Sequence, residues 1–169
     1  MAASVKVIVY RMMLLFTAVA CAAVLGARAD TDLQQVLQAN DAYVRVPVPG
    51  QKNSAAYFSL HNTGSEDVIL VAVEAPLADR AELHSHQHDD TGIMRMRRED
   101  QWIIPAGGTL TLQPGGLHVM LFDLNRTIRT GDRASLELID KQGRRLAVEA
   151  DVRSLFDDNH DHHDHNHHH

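Results

Sequence analysis

The sequence almost lacks cysteine. The single cysteine, Cys21, lies inside an apolar run near the N-terminus, so the chain after that run has no thiol. This absence excludes disulfide bonds, CxxC redox chemistry, thiolate zinc sites and the blue-copper centre that requires a cysteine ligand. A metal site in the folded part must therefore use histidine, methionine or carboxylate side chains.

Long hydrophobic runs are also scarce. The one apolar stretch, Met12 to Leu25, has 14 residues, whereas a membrane-spanning helix needs about 20. Basic residues precede this stretch, and Ala27-Arg28-Ala29 follows it as an A-x-A cleavage site. We therefore predict an export signal over residues 1–29, cleaved after Ala29, and a periplasmic mature protein. Lipid attachment at Cys21 is the alternative.

Basic residues are fewer than acidic ones. The first 29 residues hold three Lys and Arg and no acidic residue, which leaves 13 basic against 22 acidic side chains and a formal net charge of −9. An acidic chain without a basic cluster argues against nucleic acid and anionic lipid as partners. We expect a monomer without stable membrane insertion that handles cations.

Catalytic motifs are missing as well. The chain has no H-E-x-x-H, no G-x-S-x-G and no glycine-rich phosphate loop. Hydrolases need an open Lewis-acidic metal with a general base, or an activated nucleophile. We predict a protein that is not an enzyme and has no catalytic residues.

Histidine is abundant at the C-terminus. Residues 157–169 contain only Asp, Asn and His, with the histidines broken by Asp and Asn, unlike the unbroken runs of expression tags. Such a segment cannot bury apolar surface, so we predict a disordered tail. Imidazole and carboxylate donors suit divalent ions such as Cu(II). The candidate tail ligands are His160, His162, His163, His165, His167, His168 and His169.

The stretch between these ends predicts one all-β domain, which we bound at residues 30–156. Short apolar runs alternate with turn residues at the spacing of sandwiches and barrels. A single helix is predicted over Thr31–Asn40. Nine strands are predicted, over residues 42–46, 55–61, 68–73, 81–84, 93–97, 109–112, 118–124, 134–139 and 145–152.

Three segments each carry a pair of metal-binding side chains on one face. Successive side chains of a strand point to opposite faces, so His118 and Met120 share a face, as do Met94 and Met96. His84 and His86 are aligned in the same way. Neutral thioether sulfur suits Cu(I) and imidazole accepts copper readily. The combination favours copper over zinc.

These residues also resemble a known family. Met96, 21 residues, His118, one residue and Met120 form the second half of the motif of the periplasmic copper chaperones of the PCuAC type. The first half differs, because 11 residues instead of ten separate His84 from Met96. We predict that the extra residue lies in the turn Asp89–Gly92, where hairpins tolerate changes of length.

The resemblance covers residues 42–152 and implies a cupredoxin-like β-sandwich or barrel of eight or nine strands. It implies Cu(I) bound by His84, Met96, His118 and Met120, with His86 as a substitute first ligand and Met94 as an additional candidate. The implied partner is a copper acceptor, such as cytochrome c oxidase or one of its assembly factors. Copper buffering or detoxification, and scavenging of divalent metals by the tail, are the alternatives.

Overall fold

The computed structural model describes residues 32–88 and 92–154. The predicted signal segment, the turn at 89–91 and the predicted tail lie outside the described residues. One short helix, α1, spans Leu33–Val36. Ten strands follow it: β1 Leu37–Arg45, β2 Ser54–Asn62, β3 Val68–Glu74, β4 Ala78–His88, β5 Met94–Arg98, β6 Trp102–Ile104, β7 Thr109–Thr111, β8 His118–Leu124, β9 Arg133–Asp140 and β10 Arg145–Arg153.

The strands form one continuous sheet in the order β5-β4-β8-β2-β1-β10-β9-β3-β6, and β7 pairs with β2. β1 and β10 are parallel, whereas the other pairs are antiparallel. The metal-binding side chains predicted from the sequence lie on three neighbouring strands, β5, β4 and β8. The predicted all-β fold class is confirmed.

Alternating side chains form the core. In β10 every second residue from Leu146 to Val152 is buried, and β9 follows the same pattern. Val119 and Leu121 of β8 are fully buried and belong to the same apolar cluster. Because the period of a strand is two, the residues that alternate with them, His118 and Met120, point away from this cluster. Burial of the apolar set thereby fixes the face that carries the metal-binding set.

Two predictions of local structure were wrong. The helix predicted over 31–40 is limited to one turn, since Leu37–Asn40 pair with Ser59–Asn62 of β2. Pairing with a neighbouring strand overrides a weak helical preference. The strand Trp102–Ile104 was missed and brings the total to ten; three residues are too few to show alternation, although Trp102 and Ile104 are both buried.

No helix among the described residues is long and apolar enough to cross a membrane. This finding concerns residues 32–88 and 92–154 alone.

Asn62 is a buried polar residue that ties three segments together. Its side-chain amide donates hydrogen bonds to the carbonyl oxygens of Glu66, at 2.8 Å, and of Ile104, at 3.0 Å. Its side-chain oxygen accepts a hydrogen bond from the backbone N–H of Gly64 at 3.0 Å. The side chain is fully buried. It therefore satisfies the buried carbonyl oxygen of Ile104 and two partly buried backbone groups of the following turn.

We expect Asn62→Ala to lower the free energy of unfolding by about 1 to 3 kcal/mol, because it leaves the buried carbonyl oxygen of Ile104 and two partly buried backbone groups without their partner. Asn53→Ala is the matched control: Asn53 is exposed and accepts one hydrogen bond, from Asp123. Asn53→Ala should lower the free energy of unfolding by less than about 1 kcal/mol. Urea denaturation of both variants measures the difference, and equal losses would contradict the role given to Asn62.

Candidate metal centre

Three imidazole rings lie together on adjacent strands. His84 of β4 is directly opposite His118 of β8, and their ring centroids are 5.8 Å apart. The ring of His86 is stacked on that of His118 at 4.8 Å. Directly opposite residues of an antiparallel pair share a face. The three histidines therefore form one cluster on the face opposite Val119 and Leu121.

Methionines extend this cluster on both sides. In the register of β4 with β5, Met96 lies opposite His86 and Met94 opposite His88. Met120, two residues after His118, lies opposite Glu82 of β4. His84, Met96, His118 and Met120 thus share one face of a three-stranded segment. His86 lies on that face as well, directly across from Met96.

Exposure differs across the cluster. His118 is 1% exposed and His84 8%, whereas Met96 is 46% and Met94 50% exposed. Met120 is half-buried. Nitrogen donors therefore lie on the protected side and the β5 sulfur donors on the open side. A ligand bound here would be reached from solvent through the methionines.

Hydrogen bonds fix which imidazole nitrogens carry a proton. Nε2 of His84 donates to the Glu82 carboxylate at 2.8 Å, and Nδ1 of His118 donates to the carbonyl oxygen of Gly116 at 3.1 Å. These roles follow from the hydrogen-bond network, since both acceptors lack a proton to give. In the neutral form of each ring, the other nitrogen then carries a lone pair.

Those lone pairs have no partner. Nδ1 of His84 and Nε2 of His118 are buried without a hydrogen bond, and so is Nδ1 of His86. Buried polar atoms are normally paired. Metal-binding histidines characteristically donate their other N–H to a carboxylate or carbonyl, as His84 and His118 do here. The arrangement fits a metal ion bound through these unpaired nitrogens.

Charge supports the same assignment. Burial lowers the pKa of His118 below its usual range, and the nearby His86 and His84 lower it further, against the hydrogen bond to Gly116, which raises it. The hydrogen bond from His84 lowers the pKa of Glu82, as do Arg80 and Arg98. At neutral pH His118 is therefore an uncharged imidazole and Glu82 an ionised carboxylate.

Sulfur donors accompany the nitrogen donors on this face. Within residues 32–88 and 92–154, no three His, Asp or Glu side chains are grouped so that they could hold a metal ion. Thioether sulfur prefers a soft ion, so the methionines of this face favour Cu(I) over zinc.

A family model matches residues 37–152, which include the whole cluster. The chain belongs to the LpqE-like family. Among LpqE-like relatives, "Putative lipoprotein Lxx21020" of Leifsonia xyli subsp. xyli (strain CTCB07) is 31% identical over 137 residues, covering 80% of this chain and 81% of the relative.

Solved structures show the same fold as this LpqE-like chain. The solution structure of CuI-DR1885 from Deinococcus radiodurans matches with 34% identity and a TM-score of 0.57, covering 78% of this chain and 85% of that one. The copper-bound PCuAC domain from PmoF2 matches with a TM-score of 0.59, covering 70% and 92% of the two chains. Because its identity is only 21%, this second match supports the fold alone. The resemblance to PCuAC domains is confirmed.

Sequence reasoning missed the residues that orient the histidines in this LpqE-like protein. Glu82 precedes His84 by two positions and shares its strand face, a signal that could have been noticed. The carbonyl of Gly116 has no side-chain signal. The predicted insertion at 89–92 falls almost entirely outside the described residues, as do the tail histidines, and their assignments stay predictions.

Glu82→Ala should remove the hydrogen-bond acceptor of the Nε2–H group of His84. The proton can then occupy either ring nitrogen, so that the ring samples both tautomers. We expect ¹⁵N NMR of the metal-free protein to show a mixed tautomer at His84 and an unchanged one at His118. Glu82→Gln, which keeps an oxygen acceptor, should restore the single tautomer. If His84 keeps one tautomer in Glu82→Ala, the carboxylate does not orient it.

Proposed function

We propose that this protein is a copper chaperone that binds Cu(I) through His84, Met96, His118 and Met120. The observation that carries the proposal is the pair of buried, unpaired nitrogens on His84 and His118, on the same face as two methionines. Two neutral imidazoles and two thioethers match the preference of Cu(I). The 34% identity to a protein solved with CuI adds support.

The uneven exposure of these side chains suits a carrier. Buried histidines can hold the ion while the exposed sulfur of Met96 is exchanged for a donor of another protein. Transfer can then proceed one ligand at a time, without release of protons from thiols. We propose a copper centre of cytochrome c oxidase, or one of its assembly factors, as acceptor.

Buffering or detoxification of copper is the alternative, and the same ligands would serve it. Transfer of copper to an acceptor protein distinguishes a chaperone from a buffering or detoxification protein. We expect the Cu(I)-loaded protein to metallate a copper-free oxidase domain faster than a small-molecule Cu(I) complex of equal affinity does. A buffering protein would show no such acceleration.

Anaerobic titration with Cu(I) tests the ligand set. We expect one tight copper per chain and two sulfur neighbours in X-ray absorption. Met96→Leu and Met120→Leu should each remove one sulfur and weaken binding by at least about 10- to 100-fold, the cost of losing even an outer partner of a metal ligand. Met94→Leu is the matched control and should leave both measurements unchanged. Copper without sulfur neighbours would contradict the proposal.

Either His84 or His86 could be the first histidine ligand, and the anaerobic titration with Cu(I) also distinguishes between them. His84 lies directly opposite His118, while His86 lies directly opposite Met96. Glu82 orients His84, and this favours His84. We expect His84→Ala to lose affinity by more than His86→Ala does. A larger loss in His86→Ala would transfer the role to His86.

We propose that the tail binds Cu(II) loosely and raises the copper concentration near the domain. Seven histidines interleaved with Asp and Asn support this, because such donors accept divalent ions. Deletion of residues 157–169 should remove most Cu(II) capacity and leave the single Cu(I) equivalent. A deleted protein that keeps its Cu(II) capacity would exclude this role.

We also propose export to the periplasm, with cleavage after Ala29. The lipoprotein name of the Leifsonia relative supports export and keeps lipid attachment at Cys21 as the competing outcome. Mass spectrometry of the protein made in its own cell type separates them. A mature chain beginning at Asp30 supports cleavage after Ala29, whereas a lipidated N-terminal cysteine supports the anchor.

A further inference from the structure

Every methionine beyond residue 29 lies on the face of the candidate metal centre. These methionines are Met94, Met96 and Met120, and the strand register places all three beside the histidine cluster. Methionine commonly fills gaps in apolar cores. None of the three belongs to the apolar core of residues 32–88 and 92–154, which consists of Leu, Ile, Val, Ala, Phe and Trp. Core packing therefore does not explain why the chain has methionine at these positions.

Met94 is the methionine that has no role in the proposed copper site. It lies at the start of β5, and half of its surface is exposed to solvent. Side chains two residues apart on a strand share a face, and their Cα atoms are about 6.6 Å apart. The thioethers of Met94 and Met96 are therefore neighbours on the open side of the centre.

The donors follow one another in rows along the pair of β4 and β5. Met94 lies in the last paired row, Met96 lies opposite His86 in the next row on this face, and His84 lies opposite His118 in the third. Exposure falls along this series, from the two methionines through the half-buried His86 to the buried His84 and His118. Met94 is two rows from the buried rings, which suits an entry position better than final coordination.

We propose that Met94 is an entry ligand, which holds Cu(I) together with Met96 before the buried histidines bind the ion. This role rests on the proposed function and adds a donor that is used only in transit. On loading, a Cu–S bond forms at Met94 as the delivering molecule releases the ion. That bond breaks when a buried imidazole nitrogen binds the copper, and the steps reverse on release. Copper stays Cu(I) throughout, and no proton is transferred, because thioether sulfur and an unprotonated imidazole nitrogen bind as neutral donors.

The chemistry of the path suits such a passage. Thioether sulfur is a soft donor that accepts Cu(I), and imidazole accepts copper as well. Nδ1 of His86 is buried without a hydrogen bond, in the row between Met94 and the buried pair of rings. A ligand that binds the ion only in an intermediate lowers the barrier in both directions and leaves the dissociation constant unchanged. Rates of exchange therefore distinguish an entry ligand from a resident one.

Exchange kinetics of the mature chain, residues 30–169, test this role. Loading is followed anaerobically by the loss of colour of the Cu(I)–bicinchoninate complex, and release by transfer of copper to excess bathocuproine disulfonate. We expect Met94→Leu to slow loading and release each by about fivefold or more, while the dissociation constant for Cu(I) changes by less than about twofold. X-ray absorption of the loaded Met94→Leu protein should still show two sulfur neighbours.

Three further variants separate a copper donor from an apolar contact. Met94→Gln keeps the length of the side chain without the sulfur and should be as slow as Met94→Leu. Met94→His supplies another copper donor and should restore most of the lost rate. Ile93→Leu changes the exposed residue next to Met94 and is the matched control, which should leave both rates unchanged.

The outcomes separate the entry role from the copper site itself. Unchanged rates in Met94→Leu, or equal slowing in Ile93→Leu, would overturn the entry role while the copper site stands. A weaker affinity with one sulfur neighbour fewer in Met94→Leu would also overturn it, because Met94 would then be a resident ligand. An unsubstituted chain that binds no Cu(I) would contradict the proposed function, and the entry role with it.

Discussion

The pairing of β4 with β8 is the constraint on which the metal centre depends. Val119 and Leu121 are fully buried, and this burial sets the face on which His118 and Met120 lie. The antiparallel register then places His84 directly opposite His118. A slip by one residue would turn every side chain of β4 to the other face and send His84 towards the core. The apolar residues of the sheet thereby hold the polar residues in position.

Two groups outside the proposed ligand set orient the imidazole rings of His84 and His118. A carboxylate oxygen of Glu82 and the backbone carbonyl oxygen of Gly116 each accept a hydrogen bond from one ring nitrogen. Both rings are left with an unpaired nitrogen in a buried position, which is unfavourable without a ligand. These unpaired nitrogens are the donors that the proposed copper site would use.

The cluster is asymmetric, and this asymmetry suits the proposed separation of copper binding from copper exchange. Its nitrogen side is covered by neighbouring rings, including Tyr57, whose centroid is 6.3 Å from that of His118. Its open side carries the sulfur of Met96 on β5, a strand whose residues are all exposed. One side thus excludes solvent, while the other is open to a second molecule.

The sequence by itself determined the kinds of donor and their pairing within a strand. The absence of cysteine required His and Met, and the period of two placed His118 with Met120 and Met94 with Met96 on common faces. The nine predicted strands correspond to nine of the ten found, since alternation is visible in a few local residues. Only the tertiary structure decided that β5, β4 and β8 are neighbours, that Met96 lies opposite His86, and that Glu82 and Gly116 orient the rings. Alternation is a local property of a chain, whereas strand order and register arise from burial and hydrogen bonding between residues far apart in sequence.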